Sequence, residues 1–533
     1  MNSIWNKNYK LFKERFPKLA EILPPPPKEP EKLLEAIWTL SPAKSGDLTA
    51  TELGLRLHSA YNPIREARGA LTAAGLENKS TAVFYGFGLG YHVLECARLF
   101  PQKKLVLIEP DICHFYAALC LLDWEEVFKI EKLVLALGCP ENQILGLIED
   151  SSKIGGIGAD CSGGIDNTVF FDIAAFTAHA SAYFDNIKTI IKRNKQKNDI
   201  NAATLKKFGK LWCRNSLENI IHVADCPGVQ LLQASLKDTP FIICGAGPSL
   251  ESILPHLKEL SKHAILVCVE TALHALQGAN LQPDFILLTD PQFWAYRHIA
   301  GLSAPESILI TEVSAYPSVF RFPCKRVMLC KSQFPIGSWF EEKLSLDLGD
   351  LGSGGSVASC AWNFARLCGA SEIYTIGLDF AFPAGQTHIR GSSAEQSQHT
   401  VSNRLNGVEK FTSASLHNAN VQYGKDYTGK PVLTDSRMKM FAWWFESRLA
   451  SCPENKTYTL CPQGLNVPGI SPADISQLLS KPEIEGIKKS IVARAANAKP
   501  CLPYSKQAQL EKLINEFPTA DFLERYGFLK DYL

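Results

Sequence analysis

Residues 241–250 read FIICGAGPSL and residues 284–292 read DFILLTDPQ, and what lies between them sets the architecture. Phe241–Cys244 is apolar and rich in branched side chains, as a buried strand requires. Gly245, Ala246, Gly247 and Pro248 then make a tight turn, and Ser249 stands where a helix N-cap belongs. Leu250, Ile253, Leu254 and Leu257 follow at helical spacing. A strand that feeds a glycine turn into a helix start presents unpaired N–H groups to an anion. The spacing predicts a strand at Ala264–Cys268, a helix around Thr271–Leu276 and a strand at Phe285–Thr289, completing a β-α-β-α-β unit. Asp290 falls just past that last strand, at the carboxyl edge where open α/β sheets bind ligands. A nucleotide site is the expectation.

The pattern extends in both directions. Ala82–Tyr85 reads as a strand, Gly86–Gly90 as a turn, Tyr91–Phe100 as a helix and Leu105–Ile108 as a second strand ending in Glu109. That order is Rossmann-like, and an acid there can hold ribose hydroxyls. GFGLG is not GxGxxG, however, and a cofactor-free α/β domain is the plainer reading. The glycine-rich interval Ile154–Ile165 is expected to be a loop, and Phe170–Asn198 a long helix ending in a basic run. Toward the C-terminus, Ser307–Thr311, Arg326–Cys330, Glu372–Gly377 and Tyr458–Cys461 fit strands. Gly352–Val357 is a second small-residue turn before an apolar helix. The strand at 372–377 delivers Asp379 to the ligand edge, and a polar loop, Pro383–Ser393, carries His388 and Arg390.

These elements give an α/β, multidomain fold. A helical arm occupies 1–45, a Rossmann-like α/β domain 46–169 and a helical linker 170–235. A nucleotide-binding α/β domain follows at 236–465, then a helical C-terminal region at 466–533. The chain's 533 residues suit two or three domains, and a formal charge of +1 gives no electrostatic reason for a nucleic-acid partner. No signal-peptide pattern and no apolar run of membrane-spanning length is visible, so a cytoplasmic protein is expected. The 16 cysteines include no CxxC pair and read as buried reduced thiols.

GAGPSL at 245–250, TDPQ at 289–292, GGSVAS at 354–359 and GLDFAF at 377–382 resemble the motility accessory factors, as do YNP at 61–63, GFGLGYH at 86–92 and IEPD at 108–111. The central domain is similar to hydroxymethyl-dihydropterin pyrophosphokinases and, more distantly, to bacterial sialyltransferases. The resemblance implies a sialyltransferase-like central fold and a cytoplasmic transferase that moves a sialic-acid-like nonulosonic acid from a CMP-activated donor to Ser or Thr of flagellin. Two departures stand out. Sialyltransferases carry asparagine where this chain has Ala246, and they place a histidine shortly before the pair that stands here as Thr434 and Asp435, where Gly429–Leu433 has none.

Such chemistry needs the leaving phosphate held, the nucleoside recognised and the acceptor hydroxyl deprotonated. Gly245, Gly247 and Ser249 are the expected donors at the first turn, and Gly354, Gly355 and Ser356 at the second, where close helix–sheet packing is an equal alternative. Asp290 and Asp379 end strands and face ribose, metal or acceptor. His388 is the candidate base, because an imidazole titrates near neutral pH. Neither Asp belongs to a DxD pair, so no metal is expected. Two other functions stay open: a Mg-ATP pterin pyrophosphokinase, opposed by the chain's length and by the missing P-loop, and a non-catalytic flagellin-binding scaffold.

Overall fold

Strands that are apolar at every position are buried on both faces, and such strands build parallel sheets covered by helices. The central strands of two parallel sheets are of this kind. The computed structural model describes residues 2–26, 28–148, 165–352 and 354–533. They fall into two compact units, one running to Asn201 and the other from Ala202 to Leu533.

The first unit opens with helices Asn2–Arg15, Pro17–Ile22 and Pro30–Ile37. A small antiparallel sheet follows: β1 (Thr39–Pro42), β2 (Leu48–Glu52) and β3 (Leu55–Arg56). The main sheet has four parallel strands, β4 (Thr81–Tyr85), β5 (Lys104–Glu109), β6 (Leu133–Leu137) and β7 (Thr168–Asp172), in the order β6-β5-β4-β7. Helix α1 (Tyr91–Leu99) leaves β4 through the glycine turn. The helix expected from Phe170 begins later, since Phe170–Asp172 complete β7. Phe171 pairs across the strands with Phe84 and stacks on it at 4.6 Å, and such cross-strand aromatic pairs favour sheet over helix. Helix α2 (Ser181–Asn219) begins in this unit and ends in the second. The glycine-rich interval 154–164 lies outside the described residues.

The second unit is built on eight parallel strands. These are β8 (Phe241–Cys244), β9 (Ile265–Val269), β10 (Phe285–Leu287), β11 (Ala304–Thr311), β12 (Cys324–Leu329) and β13 (Glu372–Ile376). After a separate hairpin of β14 (Gln422–Lys425) and β15 (Pro431–Thr434), β16 (Lys456–Thr459) and β17 (Ile470–Pro472) complete the sheet. The order is β12-β11-β10-β9-β8-β13-β16-β17, so the chain winds outward from β8 and then returns to its other side at β13. Alternation along the strands divides the core in two. Phe241, Ile243, Val267 and Phe285 face one layer, where helix α4 (Val357–Cys368) adds Trp362 and Phe364. Ile242, Cys244, Leu266 and Ile286 face the other, where helix α3 (Leu250–Leu260) adds Leu250 and Leu257.

The region from 466 is not wholly helical, because β17 adds an edge strand. Its helices pack back onto the unit. Ile491 and Val492 enter the first core layer, and the Lys488 ammonium sits 3.0 Å from the half-buried Asp284 carboxylate. Among the described residues no helix is long and apolar enough to cross a membrane.

Candidate functional site

The sheet of the second unit reverses its winding between β8 and β13, and open α/β sheets bind ligands at the carboxyl ends flanking such a point. Gly245 and Gly377 meet there backbone to backbone. The Gly245 N–H donates to Ile376 O and the Gly247 N–H to Gly377 O, both at 2.8 Å. A Cβ on Gly245 would run into the Gly377 carbonyl, and one on Gly247 would lie 2.5 Å from Asp379 Oδ2. Both positions require glycine for close approach within the protein rather than for a left-handed φ.

Ser249 does not cap its helix through its side chain. Its hydroxyl donates to Asp379 Oδ1 and its N–H to Asp379 Oδ2 at 3.0 Å. The start of α3 is therefore occupied by an anion of the protein's own, the Asp379 carboxylate, which satisfies the helix dipole at that end. The amides of Gly245, Gly247 and Ser249, expected to face a phosphate, are bonded internally. Asp379 is 4% exposed, and burial pushes its pKa up to about 6 against the opposing pull of Ser249.

The second turn divides its roles. The Gly354 N–H donates to Ser359 Oγ at 3.0 Å, and a Cβ there would meet Ser359 and Trp444. Gly355 takes φ +79° beneath Phe441. The Ser356 hydroxyl is buried without a protein partner, which leaves it free to meet a ligand.

Asp290 accepts the Gln292 N–H at 2.8 Å, and burial raises its pKa. It faces two acids that the sequence reading missed. Glu270 and Glu312 follow directly on β9 and β11, are 5% and 7% exposed, and each leaves one carboxylate oxygen without a partner. Burial first, then the Asp290 charge, pushes the Glu270 carboxyl to about 8. The signal was present: ILVCV-Glu270 and ILIT-Glu312 repeat the apolar-run-then-acid pattern that singled out Asp290.

His388 keeps an exposed edge yet stands among enough protein that desolvation, then the charge of Arg437, lowers its imidazole pKa. His298 lies near it, held down to about 4 by burial and then by His388. Both oxygens of Asp379 are taken by Ser249, so Asp379 does not orient His388. The site gathers Asp290 with Glu270 and Glu312, and Asp379 with Ser249, as two separate clusters.

In the first unit, the place a dinucleotide would take beside the glycine turn is filled by protein. A Cβ on Gly86 would strike the Phe176 backbone, and one on Gly88 would lie 2.8 Å from His58 Nε2, which itself accepts the Leu89 N–H at 3.0 Å. Glu109 is held by His179 Nε2 at 2.8 Å and by the Asp111 N–H at 3.0 Å, not left open for ribose. Glu52, His114 and His179 bring possible metal ligands within 4.8 Å of one another. The two imidazoles stack at 4.0 Å and 16° from parallel, however, so their in-plane lone pairs run side by side rather than toward one point.

Residues 43–133 match the family described as Glycosyltransferase Maf N-terminal domain, and residues 214–385 match the one described as 6-hydroxymethylpterin diphosphokinase MptE-like. An uncharacterized protein of Treponema pallidum (strain Nichols) is 37% identical over 234 residues, 38% of this chain and 59% of that relative. The chain thus spans less than two thirds of that relative's length. A second protein of the same organism is 27% identical over 259 residues, 48% of this chain and 85% of its own length. The solved structure of the Maf glycosyltransferase from Magnetospirillum magneticum AMB-1 aligns with a TM-score of 0.59 at 16% identity, over 96% of this chain and 80% of that one, a likeness of fold.

Proposed function

We propose that the chain, whose residues 43–133 match the Maf glycosyltransferase N-terminal domain family, is a glycosyltransferase moving a sialic-acid-like nonulosonic acid from a CMP-activated donor to Ser or Thr of flagellin in the cytoplasm. The observation that carries this reading is the row of strand-end acids at the carboxyl edge of the second unit's sheet, beside the turn Gly354–Ser356. In this reading the second turn receives the leaving phosphate, with the Ser356 hydroxyl as a donor. Asp379 positions the start of α3 through Ser249. An acceptor hydroxyl gives its proton to His388 or, failing that, to Asp290, whose raised pKa suits a base working near neutral pH. A single donor phosphate met by hydroxyl and amide donors needs no metal.

The MptE-like match over 214–385 favours a second reading, a pyrophosphokinase using Mg-ATP. With Asp379 engaged by Ser249, the metal would fall to Asp290 and its neighbouring acids. Intact-mass measurement of flagellin from cells with and without this protein tests the first reading; loss of a sugar-sized increment is expected. Purified protein should be stabilised against heat by CMP or a CMP-sugar and should keep its transferase activity in EDTA. Stabilisation by Mg-ATP alone, with activity abolished by EDTA and restored by Mg²⁺, would replace the first reading with the second. A flagellin mass that does not change, with no nucleotide bound, would leave a flagellin-binding scaffold.

A further inference from the structure

The last turns of α2 lie across the carboxyl ends of β10 and β11, fixed there by two asparagines. Asn215 Nδ2 donates to Pro291 O at 2.9 Å and Ser314 O at 3.2 Å. Asn219 Nδ2 donates to Val313 O at 2.9 Å and Ala315 O at 2.7 Å. A cavity of about 90 Å³ opens here, lined among others by Trp212, Thr289, Glu312, Lys331 and Phe334. That volume holds roughly seven water-sized positions, room for one six-membered ring.

Polar atoms around this cavity are left unpaired by the protein. Glu312 accepts the Ser314 hydroxyl through Oε1, while Oε2 is buried and unpartnered. Burial raises the Glu312 pKa, while Ser314, Ser332 and the Gln333 amide pull it back toward the ionised form. The Trp212 indole N–H is likewise unpartnered, and both residues are 7% exposed. Asn215 Oδ1 and Ser216 Oγ, on the same face of α2 as Trp212, also lack partners. Buried polar atoms are nearly always paired, and leaving one unmade is costly. Two of these atoms, Glu312 Oε2 and the Trp212 indole N–H, belong to residues lining the one cavity, and a carboxylate oxygen asks a ligand there for an N–H.

We propose that this cavity is the base subsite of the donor nucleotide and reads an amino-substituted pyrimidine edge. The exocyclic amino group donates to Glu312 Oε2, and the adjacent ring nitrogen or carbonyl accepts from the Trp212 indole. Cytosine presents that pair; uracil sets a carbonyl against the carboxylate. The assignment rests on the nucleotide-sugar reading given above. The chemistry is shared by other bases with an amino group beside an acceptor, guanine and pterin among them.

Calorimetric titration of the full chain with CMP, UMP, GMP and 6-hydroxymethylpterin tests it. Wild type should prefer CMP to UMP by about tenfold or more, the worth of one hydrogen bond to a charged group. Glu312→Gln, which offers an amide donor to the uracil carbonyl, should narrow that ratio by about tenfold. Trp212→Phe should weaken both nucleotides together. CMP binding with an unchanged CMP-to-UMP ratio in Glu312→Gln overturns the subsite and leaves the donor reading standing. Preferential binding of GMP or the pterin, lost in Glu312→Gln, supports amino-edge recognition here and removes the CMP donor. If Glu312→Gln melts early, Trp212→Phe decides alone, and wild-type CMP affinity in that variant overturns the proposal.

Discussion

Asp379 ties stability to pH in a way that Asp379→Asn should expose. The carboxyl is 4% exposed, and its pKa rises from 3.8 to about 6 on folding. Between roughly pH 4 and 6 the folded chain keeps a proton that the unfolded chain has released, so stability falls as pH rises through this window. The contribution is fully present below the unfolded pKa and gone above the folded one. The shift corresponds to about 3 kcal/mol. Asparagine cannot ionise, yet it retains an acceptor for the Ser249 N–H. At pH 4, where Asp379 is neutral in the folded chain, variant and wild type should differ by about 1 kcal/mol or less. By pH 7 the variant should have gained about 3 kcal/mol relative to wild type, a relative rise in Tm of about 5 °C for a unit of this size. Paired thermal melts at pH 4, 5, 6 and 7 measure this. A constant Tm difference across the series would show that Asp379 titrates alike folded and unfolded, and the buried-carboxylate argument would fall.

Two further outcomes follow from the same edge. Gly247→Ala is allowed by its backbone angles but puts a methyl 2.5 Å from Asp379 Oδ2 and 2.7 Å from Gly377 O, so it should destabilise by about 1–3 kcal/mol; a wild-type melting temperature would refute the close abutment of the two turns. His388→Ala should lower turnover by about 10²–10⁴-fold with donor binding unchanged. Because its imidazole is held below the ordinary 6.5, wild-type activity should fall only at pH values under that. Normal turnover with an unaltered pH profile in the variant would pass the role to Asp290.

The strands read from the sequence are short, mostly apolar runs bounded by turns, as in Phe241–Cys244 and Thr81–Tyr85, whereas β6 and the short or polar strands β1–β3, β14, β15 and β17 went unread. Strand β7 was hidden because its aromatic run continues without a breaker toward the long helix, and only its partner Phe84 decides its state. Local signals placed Ser249 and Asp379 each at the sheet edge. Their bond joins residues 130 positions apart, and no spacing rule reports it. The glycines of the first turn were recognised, but not their reason, since a glycine kept for a ligand and one kept for a neighbouring backbone read alike in sequence. Glu270 and Glu312 could have been found by treating every acid after an apolar run as Asp290 was treated.

The strand order of the second unit also dictates where this chain can be cut. β13 pairs with β8 on one side and with β16 on the other, and β16 arrives only after the hairpin β14–β15 and the helix Ser436–Ser451. A fragment ending after β13 would bare one whole flank of a strand buried in the intact sheet, its N–H and C=O groups open to any extended chain. It would also strip the Lys488 ammonium from Asp284, leaving the Leu266 N–H as the bond that carboxylate keeps there. Such a fragment should self-associate through its new edge, so the glycine turns and the C-terminal helices have to be produced as one piece.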